Sequence, residues 1–142
     1  MNNNDFSYSF ASSQTKEAIF EKLKDVRNWW MGIYNETITG RSEKLGDLFS
    51  FNAGGGAHNS TQKIVELIPG KKITWLVTDS NLSFLAQPSE WTNTTFYFDI
   101  AQKGEEVQIT FTHKGLTPAL ECFGACSGGW MQYLNKLAQE IK

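Results

Sequence analysis

The C-terminal part of the chain carries the most restrictive pattern in the sequence, an apolar stripe with helical spacing. Its members follow one another at intervals of 4, 3, 4, 4, 3 and 4: Ala119, Phe123, Cys126, Trp130, Leu134, Leu137 and Ile141. This spacing predicts one amphipathic helix, on the order of 30 Å long at about 1.5 Å per residue. Such a helix is long enough to lie across a whole sheet.

The rest of the sequence predicts that sheet. The segment "FSYSF" alternates with period two and predicts a first strand, and "SSQTKEAIFEKLKDV" and "RNWWMG" then predict two short helices. Further strands are predicted from "ETITG", "DLFSF", "TQKIVELI", "KITWLVT", "TTFYFDI" and "EVQITFTH". Alternation of apolar and polar residues with short turns is typical of an antiparallel sheet that has one face covered and one face in contact with water. We therefore expect an α+β fold, a curved antiparallel sheet of about six to seven strands wrapped around the C-terminal helix, as one domain over residues 1–142.

Charge and hydropathy disfavour two classes of partner. The formal net charge is −2 and no long run of Lys or Arg occurs, so we expect no nucleic-acid binding. No stretch of about eighteen apolar residues predicts a membrane span, and the polar N-terminus does not resemble a signal peptide. A cytoplasmic protein is the simplest expectation.

Several segments, in order along the chain, resemble one known family. They are "VRNWW", "KLGDLFSF", "VELIPGKKITWLVTDS", "EWTNTTFYFDI" and "FTHKGLTPALECFGACSGGWMQYL". The chain resembles proteins similar to the C-terminal domain of the activator of the Hsp90 ATPase, within the START/Bet v 1-like (SRPBCC) group. The resemblance implies a helix-grip fold with an internal cavity. The family often has Gly-Thr where this chain has Asn93-Thr94, so the local turn can differ. Its co-chaperone activity depends on a separate N-terminal domain and is not transferred.

Two cysteines stand four residues apart in the predicted helix. Cys122 and Cys126 suit two small apolar core residues, and the alternatives are a reactive thiol or a metal site. A structural zinc site usually needs two ligand clusters, and only His58 and His113 supply nitrogen donors. His58 is expected to lie in a distant hairpin, and a disulfide within one helix would strain the S–S geometry. We predict no metal.

Glycines mark two further features. Gly124, Gly128 and Gly129 each cost roughly 1 kcal/mol relative to Ala inside a helix, and they predict a bend or an unwound turn that leaves room beneath the helix. The alternative is an irregular helix start. The segment "NAGGGAHNST" lies between two strands, so it does not fit a phosphate-binding loop, which needs a following helix. It predicts a surface hairpin or a mobile hairpin at a cavity mouth.

The aromatic content of 13% suggests either a filled core or a lined cavity. His113 shares a strand face with Phe111 and is expected to point inward, as a satisfied structural residue or as a polar anchor for a ligand. We expect no catalytic residue from any spacing of Ser, His, Cys or carboxylates. The candidate cavity residues are Trp30, Phe49, Trp75, Phe98, Phe111, His113, Phe123 and Trp130.

These residues predict the binding of a small hydrophobic molecule in a cavity between the sheet and the C-terminal helix, without a cofactor. One alternative is a cyclase- or hydrolase-like enzyme that uses the same cavity and needs a titratable residue inside it. The other is a chaperone-associated interaction module, which predicts a closed core and an exposed apolar patch. A homodimer is a further partner hypothesis.

Overall fold

The computed structural model describes residues 5–142 and contains a seven-stranded sheet, two α-helices and short 3₁₀ turns. In chain order the elements are β1 (Phe6–Ser12), α1 (Lys16–Lys24), a 3₁₀ turn (Val26–Asn28), β2 (Thr37–Gly40), β3 (Leu48–Ala53), a 3₁₀ turn (Gly54–Gly56), β4 (His58–Ile68), β5 (Lys72–Leu82), β6 (Thr95–Lys103), β7 (Glu106–Lys114) and α2 (Phe123–Glu140). This order confirms the predicted α+β helix-grip architecture.

The sheet is antiparallel throughout, in the order β1-β7-β6-β5-β4-β3-β2. From β2 to β7 each strand pairs with the next strand in the chain, whereas β1 pairs with β7. The turns after β4 and β6 contain Gly70 (φ +71°) and Gly104 (φ +64°), a backbone conformation that glycine adopts without steric cost. Strand β1 forms one edge of the sheet and pairs with β7, for example Tyr8 with Phe111.

Helix α2 is shorter at its start than the sequence predicts, because it begins at Phe123 rather than at Ala119. Residues 117–122 form turns, in which the N–H of Leu120 donates to the carbonyl of Thr117 at 3.0 Å. The helix runs without interruption through its three glycines, so the predicted unwound turn is absent. A Cβ built at any of the three would meet nothing within 4 Å, which excludes close helix–sheet contact as their role.

The interior is densely filled at one end. Trp29, which follows the first 3₁₀ turn, inserts among Trp75, Phe98 and Phe111 with ring centroids 5.0–6.3 Å away. Its Nε1 donates to the carbonyl of Leu23 at 2.8 Å. All these rings are at most 1% exposed. This end of the interior is therefore solid.

No helix within residues 5–142 combines the length and the apolar character needed to cross a membrane.

Candidate functional site

A cavity of about 240 Å³ lies at the other end of the interior, between the sheet and the first half of α2. Its wall is formed by Trp30, Tyr34, Phe51, Ala53, Gly54, Ala57, His58, Phe84, Trp91, Ala125, Cys126, Gly129, Trp130 and Tyr133. None of these side chains is that of Asp, Glu, Lys or Arg. The cavity is therefore suited to an apolar, uncharged guest.

Four rings of the wall form a nearly continuous stack. Trp30 lies face to face with Phe51, with centroids 3.8 Å apart and planes inclined by 11°. Trp130 lies 5.0 Å from Trp30 and 5.7 Å from Trp91, at plane angles of 28° and 9°. The four residues come from a loop, a strand, a second loop and a helix. Flat surfaces from four parts of the chain thus share one orientation beside the cavity.

His58 brings a polar edge to this wall. Its ring lies edge-on to Trp91 at 4.6 Å and to Phe51 at 5.2 Å, and its Nε2 is 3.1 Å from the hydroxyl of Ser60. Loss of hydration lowers the pKa of His58 to about 4, so the ring is neutral at pH 7. His58 can therefore act as a neutral hydrogen-bonding group in the cavity.

His113 connects two wall residues without lining the cavity itself. The Nε1–H of Trp130 donates to Nδ1 of His113 at 3.0 Å, and Nε2 of His113 lies 2.8 Å from the hydroxyl of Thr94. That hydroxyl donates to the carbonyl of Trp91 at 2.6 Å, so it accepts from Nε2–H and fixes the histidine tautomer. Burial, followed by the neighbouring His58, lowers the pKa of His113 to about 3. Neutral His113 thus positions Trp130 and the backbone of Trp91.

A buried carboxylate, that of Glu36, holds two residues of the cavity wall, Tyr34 and Tyr133. Glu36 accepts backbone N–H bonds from Gly32 and Tyr34, each at 2.7 Å, and from Ile33 at 3.0 Å. The hydroxyl of Tyr133, on α2, also donates to this carboxylate. Burial alone would raise the pKa of Glu36, but these hydrogen bonds outweigh it and lower the pKa to about 2. Burial and Glu36 raise the pKa of Tyr133. This clamp ties the loop before β2 to α2.

The cavity mouth is formed by exposed aromatic side chains and a glycine-rich turn. Tyr34 and Phe84 are 41% and 49% exposed although both line the cavity, which places them at its rim. The hydroxyl of Tyr34 accepts from the side-chain amide of Gln132 on α2. Gly54 lines the cavity within the glycine-rich turn between β3 and β4. The predicted hairpin therefore lies at the cavity.

The two cysteines are paired at the start of α2, which corrects the prediction of two separate apolar core residues. Cys122 and Cys126 form a disulfide with Cα atoms 5.5 Å apart, and both are buried. Cys122 is the N-cap of the helix rather than an interior residue, and its N–H donates to the carboxylate of Glu90 at 3.0 Å. The pair thus joins the N-cap residue of α2 to a residue inside the helix. Cys126 also lines the cavity.

Two of the eight predicted cavity residues, Trp30 and Trp130, lie in the wall. The other six lie outside it: Phe49, Trp75, Phe98, Phe111, His113 and Phe123. Trp75, Phe98 and Phe111 surround Trp29 in the solid end. Phe49 lies edge-on to Trp30 at 6.1 Å, and Phe123 is half-buried at the helix start. Trp29 fills the space between Trp75, Phe98 and Phe111, so these residues do not face a cavity. No sequence signal distinguishes Trp29 from its neighbour Trp30.

Sequence reasoning missed His58 and Glu36. His58 was expected to lie far from the helix, yet it lines the same cavity as Cys126. A signal was available, since His58 has the same parity in β4 as the buried residues Ser60 and Ile64. Glu36 had no such signal, because its partners come from its own loop and from a tyrosine 97 residues away.

Within residues 5–142 no group of three or more His, Cys, Asp or Glu side chains is arranged to hold a metal ion.

Comparison with known proteins identifies the family. The family model described as Activator of Hsp90 ATPase homolog 1-like protein matches residues 17–142. The chain belongs to this family. The match covers all of the cavity wall. No curated protein matches the chain.

Solved structures show the same fold at low sequence identity. The Aha1 dimer from Colwellia psychrerythraea is 20% identical with a TM-score of 0.74, over 96% of this chain and 95% of that one. Protein CV1439 from Chromobacterium violaceum is 18% identical with a TM-score of 0.71, over 97% and 96%. The major latex-like protein 151 from Panax ginseng is 14% identical with a TM-score of 0.66, over 97% of each chain. These similarities show that the chain has the helix-grip fold.

Proposed function

We propose that this protein binds a small, predominantly apolar molecule in the cavity between its sheet and helix α2. The observation that carries the proposal is an accessible cavity of about 240 Å³ whose wall has aromatic rings and no carboxylate, ammonium or guanidinium group. Transfer of apolar surface from water, about 25 cal/mol per Å², drives such binding. The open cavity disfavours the chaperone-associated module, for which a closed core was expected.

Gly129 offers a direct way to fill the cavity. It lines the cavity, and a Cβ at this position meets no atom within 4 Å. Gly128 is the matched control, because it lies in the same helix, has the same free space at its Cβ and does not line the cavity. Leucine at either position removes a helical glycine, so both variants gain helix propensity to a similar degree.

Binding of the uncharged fluorophore N-phenyl-1-naphthylamine tests the proposal. We expect saturable binding to the wild type, retained by Gly128→Leu and reduced at least tenfold in affinity by Gly129→Leu. Native mass spectrometry of the purified protein should in addition reveal a bound small molecule that organic solvent removes. Absence of saturable binding, or equal binding by both variants, would contradict the proposal. Turnover of a bound compound would instead support the enzyme alternative.

Self-association is a second part of the proposal. The similar protein from Colwellia psychrerythraea is a dimer, and this chain exposes several large apolar side chains on its surface. They include Leu45, Leu48, Val65 and Ile68. Sedimentation velocity should detect a species of twice the chain mass of 16.0 kDa. A single species of one chain mass at all concentrations would contradict this part alone.

A further inference from the structure

Some indole N–H groups of this protein bond to protein acceptors, and others, at the cavity, do not. Among residues 5–142, three of them donate to protein acceptors: those of Trp29, Trp75 and Trp130 bond to Leu23, Ser42 and His113. The remaining two, on Trp30 and Trp91, have no hydrogen-bond partner in this part of the chain. Both of these residues line the cavity.

Donors without partners are rare in protein interiors, where most buried polar groups are satisfied. Trp30 is 2% and Trp91 is 3% exposed, so both indole side chains are largely withdrawn from bulk water. The Nε1 of Trp91 is itself covered by its neighbours. Its ring belongs to the connection between β5 and β6, and a ligand acceptor reaches Nε1 only when the covering side chains shift. Trp30 and Trp91 flank Trp130, the ring that both of them stack upon.

The size and charge of the cavity limit what can meet these donors. A cavity of roughly 150 Å³ accepts benzene, so about 240 Å³ suits a compound of two fused rings. The parallel rings of Phe51, Trp30, Trp130 and Trp91 favour a flat molecule, because stacked aromatic surfaces attract one another. The wall has no charged side chain to neutralise an ion. Moreover, His58 is neutral at pH 7.

From these observations we infer that the ligand is an uncharged, planar compound of about two fused rings that carries a hydrogen-bond acceptor such as a carbonyl oxygen, received by the Nε1–H groups of Trp30 and Trp91. This inference rests on the proposed function and specifies its ligand class. The rings supply the contact area, and the two indole donors select for the acceptor.

Three probes of similar shape separate these contributions: naphthalene, 2-acetylnaphthalene and 2-naphthoate. A hydrogen bond of ordinary net strength favours the ketone over the hydrocarbon by about 2- to 10-fold in affinity. Calorimetric titration at pH 7 should give this preference for the wild type, with 2-naphthoate bound more weakly than the ketone. Equal affinity for naphthalene and the ketone, or tighter binding of the carboxylate, overturns the inference. If none of the three binds although N-phenyl-1-naphthylamine does, the inferred ligand class is wrong and the proposed function stands; if N-phenyl-1-naphthylamine does not bind either, the proposed function itself fails.

Replacement of tryptophan by phenylalanine removes the donor and keeps a ring. The double variant Trp30→Phe/Trp91→Phe should bind the ketone and naphthalene equally, and each single variant should lose part of the preference. Trp29→Phe is the matched control, because Trp29 lies in the solid end with its N–H bonded to Leu23, and it should keep the full preference. Far-UV circular dichroism confirms folding of each variant. If the double variant does not fold, the single variants decide. An undiminished preference for the ketone in both single variants overturns the inference.

Discussion

Individual side chains around the cavity are fixed by hydrogen bonds that join distant parts of the chain. Glu36 is 8% exposed and accepts from three backbone N–H groups and from the hydroxyl of Tyr133. A buried carboxylate with this many donors is stabilised in its charged form. It therefore holds both the loop before β2 and helix α2, and its contribution depends on pH.

Glu36→Gln should destabilise the protein at pH 7 by up to about 3 kcal/mol, since each pKa unit corresponds to about 1.4 kcal/mol. The folded pKa of about 2 lies below the ordinary value of 4.5. The contribution is therefore complete above pH 4.5 and is lost as the pH falls toward 2. Urea unfolding of wild type and variant at pH 7, 4 and 2.5 measures this. The exposed Glu105→Gln is the control and should change little. A difference between wild type and Glu36→Gln that does not vary with pH would falsify this assignment.

His113 is the second side chain whose replacement should lower the stability of the protein. His113→Ala leaves the Trp130 Nε1–H without its acceptor and removes one of the two hydrogen-bond partners of the Thr94 hydroxyl. Each such loss costs about 1–3 kcal/mol, so we expect a total of about 3 kcal/mol or more at pH 7. His58→Ala is the comparison and should cost less, because His58 makes one hydrogen bond and is only partly buried. Denaturant unfolding of both variants tests this order, and the reverse order would contradict the structural role.

At the scale of elements, the start of helix α2 is where covalent and polar contacts concentrate. The Glu90 carboxylate accepts from the backbone N–H groups of Glu121 and Cys122, at 3.2 and 3.0 Å. A carboxylate near a helix N-terminus interacts favourably with the helix dipole. The disulfide lies at the same place and includes a residue of the cavity wall. The position of the first turn of α2 therefore sets one side of the cavity.

The disulfide makes a simple prediction for the isolated protein. Alkylation of the denatured protein without reductant should modify neither Cys122 nor Cys126, and alkylation after reduction should modify both. Intact-mass spectrometry distinguishes the two results. The Cys122→Ser/Cys126→Ser variant, which accepts no alkyl group under either condition, is the control. Modification of both residues before reduction would show that the thiols are free in the folded protein.

At the scale of the whole molecule, the curved sheet holds two different interiors side by side. One end is filled by Trp29, Trp75, Phe98 and Phe111, and the other encloses the cavity beneath the first half of α2. Filled interiors lose stability when a ring is removed, because the surroundings collapse only in part. Residues at a cavity rim contribute little to packing. Stability and ligand binding should therefore be separable.

Phe98→Ala and Phe84→Ala test this separation with the same chemical change. Phe98 is fully buried, and its loss should cost about 3–5 kcal/mol in the free energy of unfolding. Phe84 is 49% exposed at the rim, so its loss should change stability by less than about 1 kcal/mol and weaken binding of N-phenyl-1-naphthylamine. Unfolding curves and fluorescence titrations measure the two quantities. A large stability loss for Phe84→Ala would show that the two ends are not independent.

The sequence by itself determined the architecture of this protein. The helical stripe through Trp130 and Leu134 and the period-two segments are local patterns, and local geometry decides which face of an element is apolar. These patterns predicted the curved antiparallel sheet around the C-terminal helix that the structure confirms. The family resemblance implied the helix-grip fold with its internal cavity, and Trp30 and Trp130 were among the candidate cavity residues.

The tertiary structure decided where the interior is solid and which side chains meet in the cavity. Trp29 and Trp30 are neighbours with the same side chain, yet one fills the solid end and the other lines the cavity. His58 meets Trp91, and Glu36 meets Tyr133, across 33 and 97 residues of chain. Such contacts depend on how the sheet curves and how loops close over it. Side-chain packing in three dimensions, which no local spacing encodes, sets these positions.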